Sequence, residues 1–177
     1  RSSRRYWQRP DAAHVGIDPR RLTLSGTMVG INHSKLAGAH WLWDIDLWQE
    51  GPGLEPNDIG AFGSVDDRGF AWDLIYRETT PRGWYRAYSL AIGSTTEWNF
   101  DGVHRGSEAF AEFNTTLANY LRFNSDLWYS PRGQSDDLTR GGPLMGTGRS
   151  WGMALELEGR EGARAEWGVE VDGLRAE

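Results

Sequence analysis

The chain has 177 residues, enough for one domain with a sizeable core, yet hydrophobic residues make up only 38% while ten residues are Trp. Disorder accounts for low hydrophobicity but predicts few aromatics, so a structure that is apolar on one side and wet on the other fits both observations. A formal charge of −6 gives no support for nucleic-acid binding, which needs a basic excess, and the absence of Cys excludes disulfides, thiolate metal sites and Cys nucleophiles.

Residues 1–21 show no alternation, and Pro10, Pro19 and scattered charges predict a loop or linker. From residue 22 to residue 177 the apolar residues alternate at period two, segment after segment. The first of these segments, Leu22 to Ile31, alternates weakly. Trp41, Trp43, Ile45 and Leu47 then share a face opposite Asp44 and Asp46; Phe70, Trp72, Leu74 and Tyr76 oppose Asp73 and Arg77. Trp84, Tyr88, Leu90 and Ile92 oppose small residues, and Ala109, Ala111, Phe113 and Leu117 oppose Glu108, Glu112 and Asn114. Leu121, Phe123 and Leu127 oppose Arg122, Asn124 and Asp126. Trp151, Met153, Leu155 and Leu157 oppose Glu156 and Glu158, and Ala165, Trp167, Val169 and Val171 oppose Glu166, Glu170 and Asp172.

Turn signals separate the segments: Glu50-Gly51-Pro52-Gly53, Asp66-Asp67-Arg68-Gly69, Thr80-Pro81-Arg82-Gly83, Asn99-Phe100-Asp101-Gly102, Ala118-Asn119 and Glu158 to Gly162. The longest irregular stretch runs from Pro131 to Pro143. Short links between alternating segments demand antiparallel neighbours. The expected fold is therefore all-β, an antiparallel up-and-down meander of about eight strands over 22–177. No stretch approaches the roughly 18 apolar residues of a membrane helix, and barrel strands never show such a run.

Three features favour a segment of a transmembrane β-barrel over a soluble β-sandwich. Aromatics gather near segment ends: Trp84 and Trp98 lie 14 residues apart. That is about 46 Å along a strand, or about 33 Å along the membrane normal at a tilt near 45°. The opposite face carries charge and small residues, as a wet lumen does. Many segments also reach the roughly 9–11 residues needed to span. The expected aromatic girdle is Trp41, Trp48, Trp84, Trp98, Trp128 and Trp151. The expected lumen face holds Asp44, Asp46, Asp73, Glu108, Glu112, Glu156, Glu158, Glu166, Glu170 and Asp172 against Arg77, Arg122 and Arg164. Its net negative field predicts a preference for cations or neutral polar solutes.

Five local words occur in order. Tyr6-Trp7-Gln8-Arg9-Pro10-Asp11-Ala12-Ala13 with Val15-Gly16-Ile17-Asp18-Pro19 comes before the first strand, and Gly38-Ala39-His40-Trp41 opens a strand. Pro52 to Gly60 (PGLEPNDIG) fills a loop, and Trp98-Asn99-Phe100-Asp101-Gly102 ends a long strand. Asp137 to Leu144 (DLTRGGPL) then precedes Arg149-Ser150-Trp151. Together they resemble the C-terminal outer-membrane β-barrel region of the DUF5916 family, over roughly Tyr6 to Trp151. Members of that family often carry an N-terminal domain like family 9 carbohydrate-binding modules. The resemblance implies a bacterial outer-membrane location and a piece of a longer protein, an expectation shared by the start at Arg1 and an end without a terminal aromatic. It brings no catalytic residues with it.

Motifs that carry chemistry are weak. Asp44-Ile45-Asp46 is formally a D-x-D, but at strand period both carboxylates simply share the polar face. Gly142 to Ser150 ends in Gly148-Arg149-Ser150 without the spacing, Lys or helix of a phosphate loop. His14, His33, His40 and His104 are dispersed, and Asn114-Thr115-Thr116 falls mid-strand, where a glycosylation acceptor has no use. The most distinctive polar cluster is Asp136, Asp137, Arg140, Gly141 and Gly142, read chiefly as loop structure and otherwise as a loop folded into the lumen or onto a partner.

The expected function is therefore non-enzymatic: a passive channel, scaffold, or uptake or export component with no cofactor. Membrane lipid is the expected partner, with polysaccharide or other envelope proteins beside it and no nucleic acid. The alternative is a soluble β-sandwich that binds carbohydrate through exposed Trp.

Overall fold

The computed structural model describes residues 12–15, 20, 22–23, 25–54, 65–136, 138–139, 142–160 and 162–177. It contains a short 3-10 turn, Ala13–Val15, and ten strands: β1 Met28–Lys35, β2 Trp41–Glu50, β3 Asp67–Glu78, β4 Tyr85–Trp98, β5 His104–Leu117, β6 Arg122–Ser130, β7 Gly133–Ser135, β8 Met145–Thr147, β9 Ser150–Glu158 and β10 Gly168–Ala176. Eight of them form one antiparallel sheet in the order β1-β2-β3-β4-β5-β6-β9-β10. The remaining pair, β7 and β8, is a small hairpin inside the β6–β9 connection. The all-β antiparallel meander is thus the fold. No barrel closes among the described residues, since β1 and β10 each pair on one side only.

Most alternating segments became strands because cross-strand neighbours share the same period. Trp41 faces Tyr76, Leu74 faces Ile92, Ile92 faces Ala111, and Ala111 faces Leu127. A slip of one residue anywhere would turn these apolar residues to the carboxylate side. The boundaries moved where local chemistry overrode the pattern. β1 starts at Met28, not Leu22, because its partner β2 ends at Glu50. One further bond, from Gly51 N–H to Thr27 O, is made, and Pro52 then has no N–H to continue the ladder. Asp67-Arg68-Gly69, expected in a turn, already belongs to β3. The expected final segment begins at Gly168 instead of Ala165, because Gly162 N–H bonds the Glu166 carboxylate and Gly159 N–H bonds Trp167 O, closing a wide turn. Arg164 and Glu166 therefore lie in that turn and not on the strand face where the sequence had put them. The Pro131–Pro143 stretch, expected to be irregular, contains β7, one strand of a hairpin whose three-residue strands are too short to show a period. Most of the expected 1–21 linker lies outside the described residues, but Ala12 and Val15 are buried, so this part of it packs against the fold.

The two ends of the sheet differ. Connections 36–40, 79–84, 118–121 and 159–167 gather at one end. The ends of β2, β4 and β6 and the starts of β3, β5 and β9 lie at the other, together with the 3-10 turn. The only buried apolar residues among those described are Ala12, Val15, Val65 and Ala91. The one other sheet among the described residues is the two-stranded β7–β8 hairpin, which touches only β5, so no second layer spans the meander there.

Candidate functional site

Two regions carry the candidate chemistry: the faces of the sheet and the rim where the long connections meet. On one face, register places Trp41, Trp43, Ile45 and Leu47 beside Tyr76, Leu74, Trp72 and Phe70. Leu90, Ile92, Phe113, Leu127, Leu155 and Val171 continue this face across the sheet. The rings fall into two groups. Near the short connections Trp41 packs edge-on to Tyr76 at 4.9 Å, Tyr76 lies 6.0 Å from Tyr88, and Tyr88 stacks with Trp84 at 6.3 Å. Near the long connections Trp98 stacks with Phe70 at 6.1 Å, and Trp151 stands opposite Tyr129. Trp43 and Trp72 stand between the groups. Each group steps toward the short-connection end as the sheet runs from β2 to β9: Trp84 lies beyond the Trp41 row, and Tyr129 lies in the Ser94 row, not the Trp98 row. A common strand tilt gives that sense of step.

The six expected girdle residues do not share a face. Trp41, Trp84, Trp98 and Trp151 belong to the ring face; Trp48 and Trp128 point to the carboxylate face. Period two sets Trp48 with Asp44 and Asp46 and Trp128 with Asn124 and Asp126, and on that face aromatic rings meet glycines. Trp48 lies opposite Gly69, Phe110 opposite Gly93 and Trp128 opposite Gly152. A Cβ on these glycines would sit 2.4, 2.5 and 2.1 Å from the facing ring, so each ring lies flat over bare backbone.

The carboxylate face brings like charges side by side. Asp44 pairs in register with Asp73, Glu112 with Asp126 and Glu156 with Glu170. Asn32 Nδ2 donates to both Asp44 oxygens at 2.9 and 3.0 Å and to Asp46 at 2.8 Å, the chief relief the D-x-D receives. Like-charged neighbours on a sheet are destabilising unless water or cations screen them.

At the rim, beyond the Arg68–Trp98 pair that ends the ring face, the β6–β9 connection is anchored by Asp136. This carboxylate is 7% exposed; it accepts from Asn99 Nδ2 at 3.0 Å and pairs with Arg105 Nε at 3.1 Å. Asn99 is fully buried. Its Oδ1 accepts from Val103 N–H at 2.9 Å, closing the β4–β5 turn in which Gly102 takes φ 81°. Arg105 also reaches Glu97 at 3.0 Å and Asp67 at 3.8 Å. Of the expected loop cluster, Asp136 is thus a structural anchor and Gly142 closes a local turn by donating N–H to Thr139 O. Asp137, Arg140 and Gly141 lie outside the described residues. Asn99 and Arg105 were not legible as site residues, because nothing local marks them.

The same rim holds the 3-10 turn. His14 Nε2 lies 2.8 Å from both oxygens of Asp66, and its Nδ1 lies 2.9 Å from Asp101 Oδ1. Phe100 N–H adds a bond to Asp66 at 3.3 Å. Burial still holds the Asp66 carboxyl above its ordinary range. Asp67 is pushed up to about 6 by burial, with the nearby Glu50 carboxylate adding to it. The four histidines do not converge, and no metal-binding group of His, Cys, Asp or Glu exists among the described residues. The Gly142–Ser150 stretch runs into β8 and β9 with no helix after it.

No family model, curated protein or solved structure matches this chain.

Proposed function

We propose that this chain is part of the wall of a bacterial outer-membrane β-barrel, as the DUF5916 resemblance implies, and that it acts as a non-enzymatic channel or scaffold. One observation carries the reading: a sheet face of rings and aliphatic side chains is left uncovered by the described residues. Trp41, Trp84 and Trp151 are 50%, 58% and 47% exposed, and Leu47, Leu90, Leu127 and Val171 are exposed between or beside them. Water would charge this face roughly 25 cal/mol per Å² of apolar surface, whereas lipid does not. Two stepped ring groups flanking aliphatic residues suit two membrane interfaces crossed by tilted strands. The lipid-facing stretches end at the Arg68–Trp98 row, leaving Asp66, Asp67 and Asp136 outside them at the rim.

The opposite face suits enclosed water, and its paired carboxylates support selection for cations or neutral polar solutes. Eight strands alone close around little more than side chains, so this many carboxylates point to a wider barrel or to further strands on the β1 and β10 edges. The two longest connections, 51–66 and 131–149, follow strand ends on the same side of the sheet, which suits extracellular loops opposite shorter periplasmic turns.

Depth-dependent quenching tests the proposal. In vesicles of brominated phosphatidylcholine, variants keeping only Trp41, Trp84, Trp98 and Trp151 lose emission, whereas a variant keeping only Trp48 and Trp128 stays bright. Equal quenching of both sets, or a protein that never sediments with vesicles, refutes it.

A further inference from the structure

The carboxylate face carries aromatic rings near its middle. Phe110 on β5 and Trp128 on β6 are neighbours in register. They splay apart: Phe110 lies over Gly93 on β4, and Trp128 lies over Gly152 on β9. Each ring spends one face on bare backbone and is only half-buried. On a face that otherwise suits water, the remaining ring surface is apolar area left open at a free-energy cost.

Carboxylates flank the rings. Along β5, Glu108 and Glu112 stand two residues to either side of Phe110, about 6.7 Å away in each direction. Asp126 stands two residues from Trp128 and opposite Glu112. These five side chains line one groove of about 440 Å³, within the roughly 300–1,000 Å³ range of small-molecule clefts. No Arg, Lys or His lines it among the described residues. Glu108 accepts from Ser130 Oγ at 3.4 Å, and neither Glu112 nor Asp126 has an ion pair among the described residues. Two arginines of the same face are committed elsewhere, Arg105 to Asp136 and Glu97, and Arg122 to Glu158. The groove is therefore net negative, with like charges side by side.

Two features select among cations. The carboxylates do not converge as metal ligands: no group of His, Cys, Asp or Glu among the described residues could hold a metal ion. The surface between them is aromatic, which favours a cation that carries carbon around its charge and sheds water easily. A neutral sugar stacks on rings but leaves the carboxylates uncompensated. We propose that this groove binds a small organic cation of the quaternary or alkylated ammonium class. Its methyl groups rest on Phe110 and Trp128, and its charge lies between Glu108 and the Glu112–Asp126 pair. The site gives a solute class to the cation preference proposed above, and it rests on that reading only in that this face meets water.

The test is isothermal titration calorimetry of the full chain at low salt, in micelles of an uncharged polyoxyethylene detergent. The probes are tetramethylammonium chloride, potassium chloride and glucose. Tetramethylammonium binds at least tenfold tighter than potassium or glucose. Trp128→Leu weakens tetramethylammonium about three- to thirtyfold, the worth of one cation–π contact. Because Trp128→Leu also uncovers Gly152, Glu112→Gln combined with Asp126→Asn provides a second variant. It removes a like-charged pair, so the fold does not suffer, and it weakens tetramethylammonium at least tenfold. Tetramethylammonium no tighter than potassium, glucose binding as tightly as tetramethylammonium, or unchanged affinity in either folded variant overturns the assignment. Sedimentation of the same samples with vesicles reports separately on the barrel, so either idea fails without taking the other with it.

Discussion

Replacing Asp136 with Ala removes the acceptor that the most buried side chain of the fold depends on. Asn99 then keeps its bond to Val103 but loses its Nδ2 acceptor in a site where no water has access, and Arg105 loses one of its three carboxylates. An orphaned buried amide costs about 1–3 kcal/mol, and breaking a buried ion pair from one side costs about 3–5 kcal/mol. Glu97, still 3.0 Å from Arg105, offsets part of the second term, so the expected loss is about 3 kcal/mol. Asn99→Ala alone should cost about 2 kcal/mol, and the double variant less than the sum by about 1–2 kcal/mol, because the two share one bond. Urea unfolding in micelles, followed by Trp emission, measures all four corners of this cycle. Amide exchange should show the 131–149 connection released first, since Arg132 and Arg149 hold it only through the exposed pairs with Glu177. Asp136→Ala within about 0.5 kcal/mol of the parent, or additive effects in the double variant, would refute the anchor.

Other consequences are as direct. Gly152→Ala meets the Trp128 ring and should destabilise by about 1–3 kcal/mol, whereas Gly106→Ala, with nothing within 4 Å, should be near neutral; Trp128→Ala should remove most of the Gly152 penalty, all read from urea midpoints. Asp67 is held higher folded than unfolded, so the folded state takes up its proton first and stability rises as pH falls through about 6. Between pH 7.5 and 5 that gain should be about 1 kcal/mol in urea titrations, and Asp67→Asn should abolish it while raising stability at pH 7.5; a parent whose Asp67-dependent stability falls over this interval contradicts the burial argument. In a planar bilayer under a potassium chloride gradient, the reversal potential should favour cations, and Asp44→Asn with Asp73→Asn should shift it toward zero.

Much of the strand pattern was legible because the alternation is local and every hairpin repeats it. The segments around Trp41, Phe70, Leu90, Ala111, Phe123 and Leu155 needed nothing beyond period two. The D-x-D reading was equally local: two carboxylates spaced by one residue on a strand must share a face. The terminal segments were misplaced because their limits depend on a partner, Glu50 for the start of β1 and Glu158 for the start of β10, and a partner is not written in the segment itself.

The amino-acid sequence by itself determined the strand period, the antiparallel meander and the separation of most rings from most carboxylates. Only the tertiary structure decided that Trp48 and Trp128 meet Gly69 and Gly152, since that depends on the register of the neighbouring strand. It likewise decided that Asp136 belongs with Asn99 and Arg105, and that Phe110 and Trp128 are neighbours beside the Glu112–Asp126 pair. Spacing along a chain fixes which face a residue takes, whereas register between strands fixes which residue it meets.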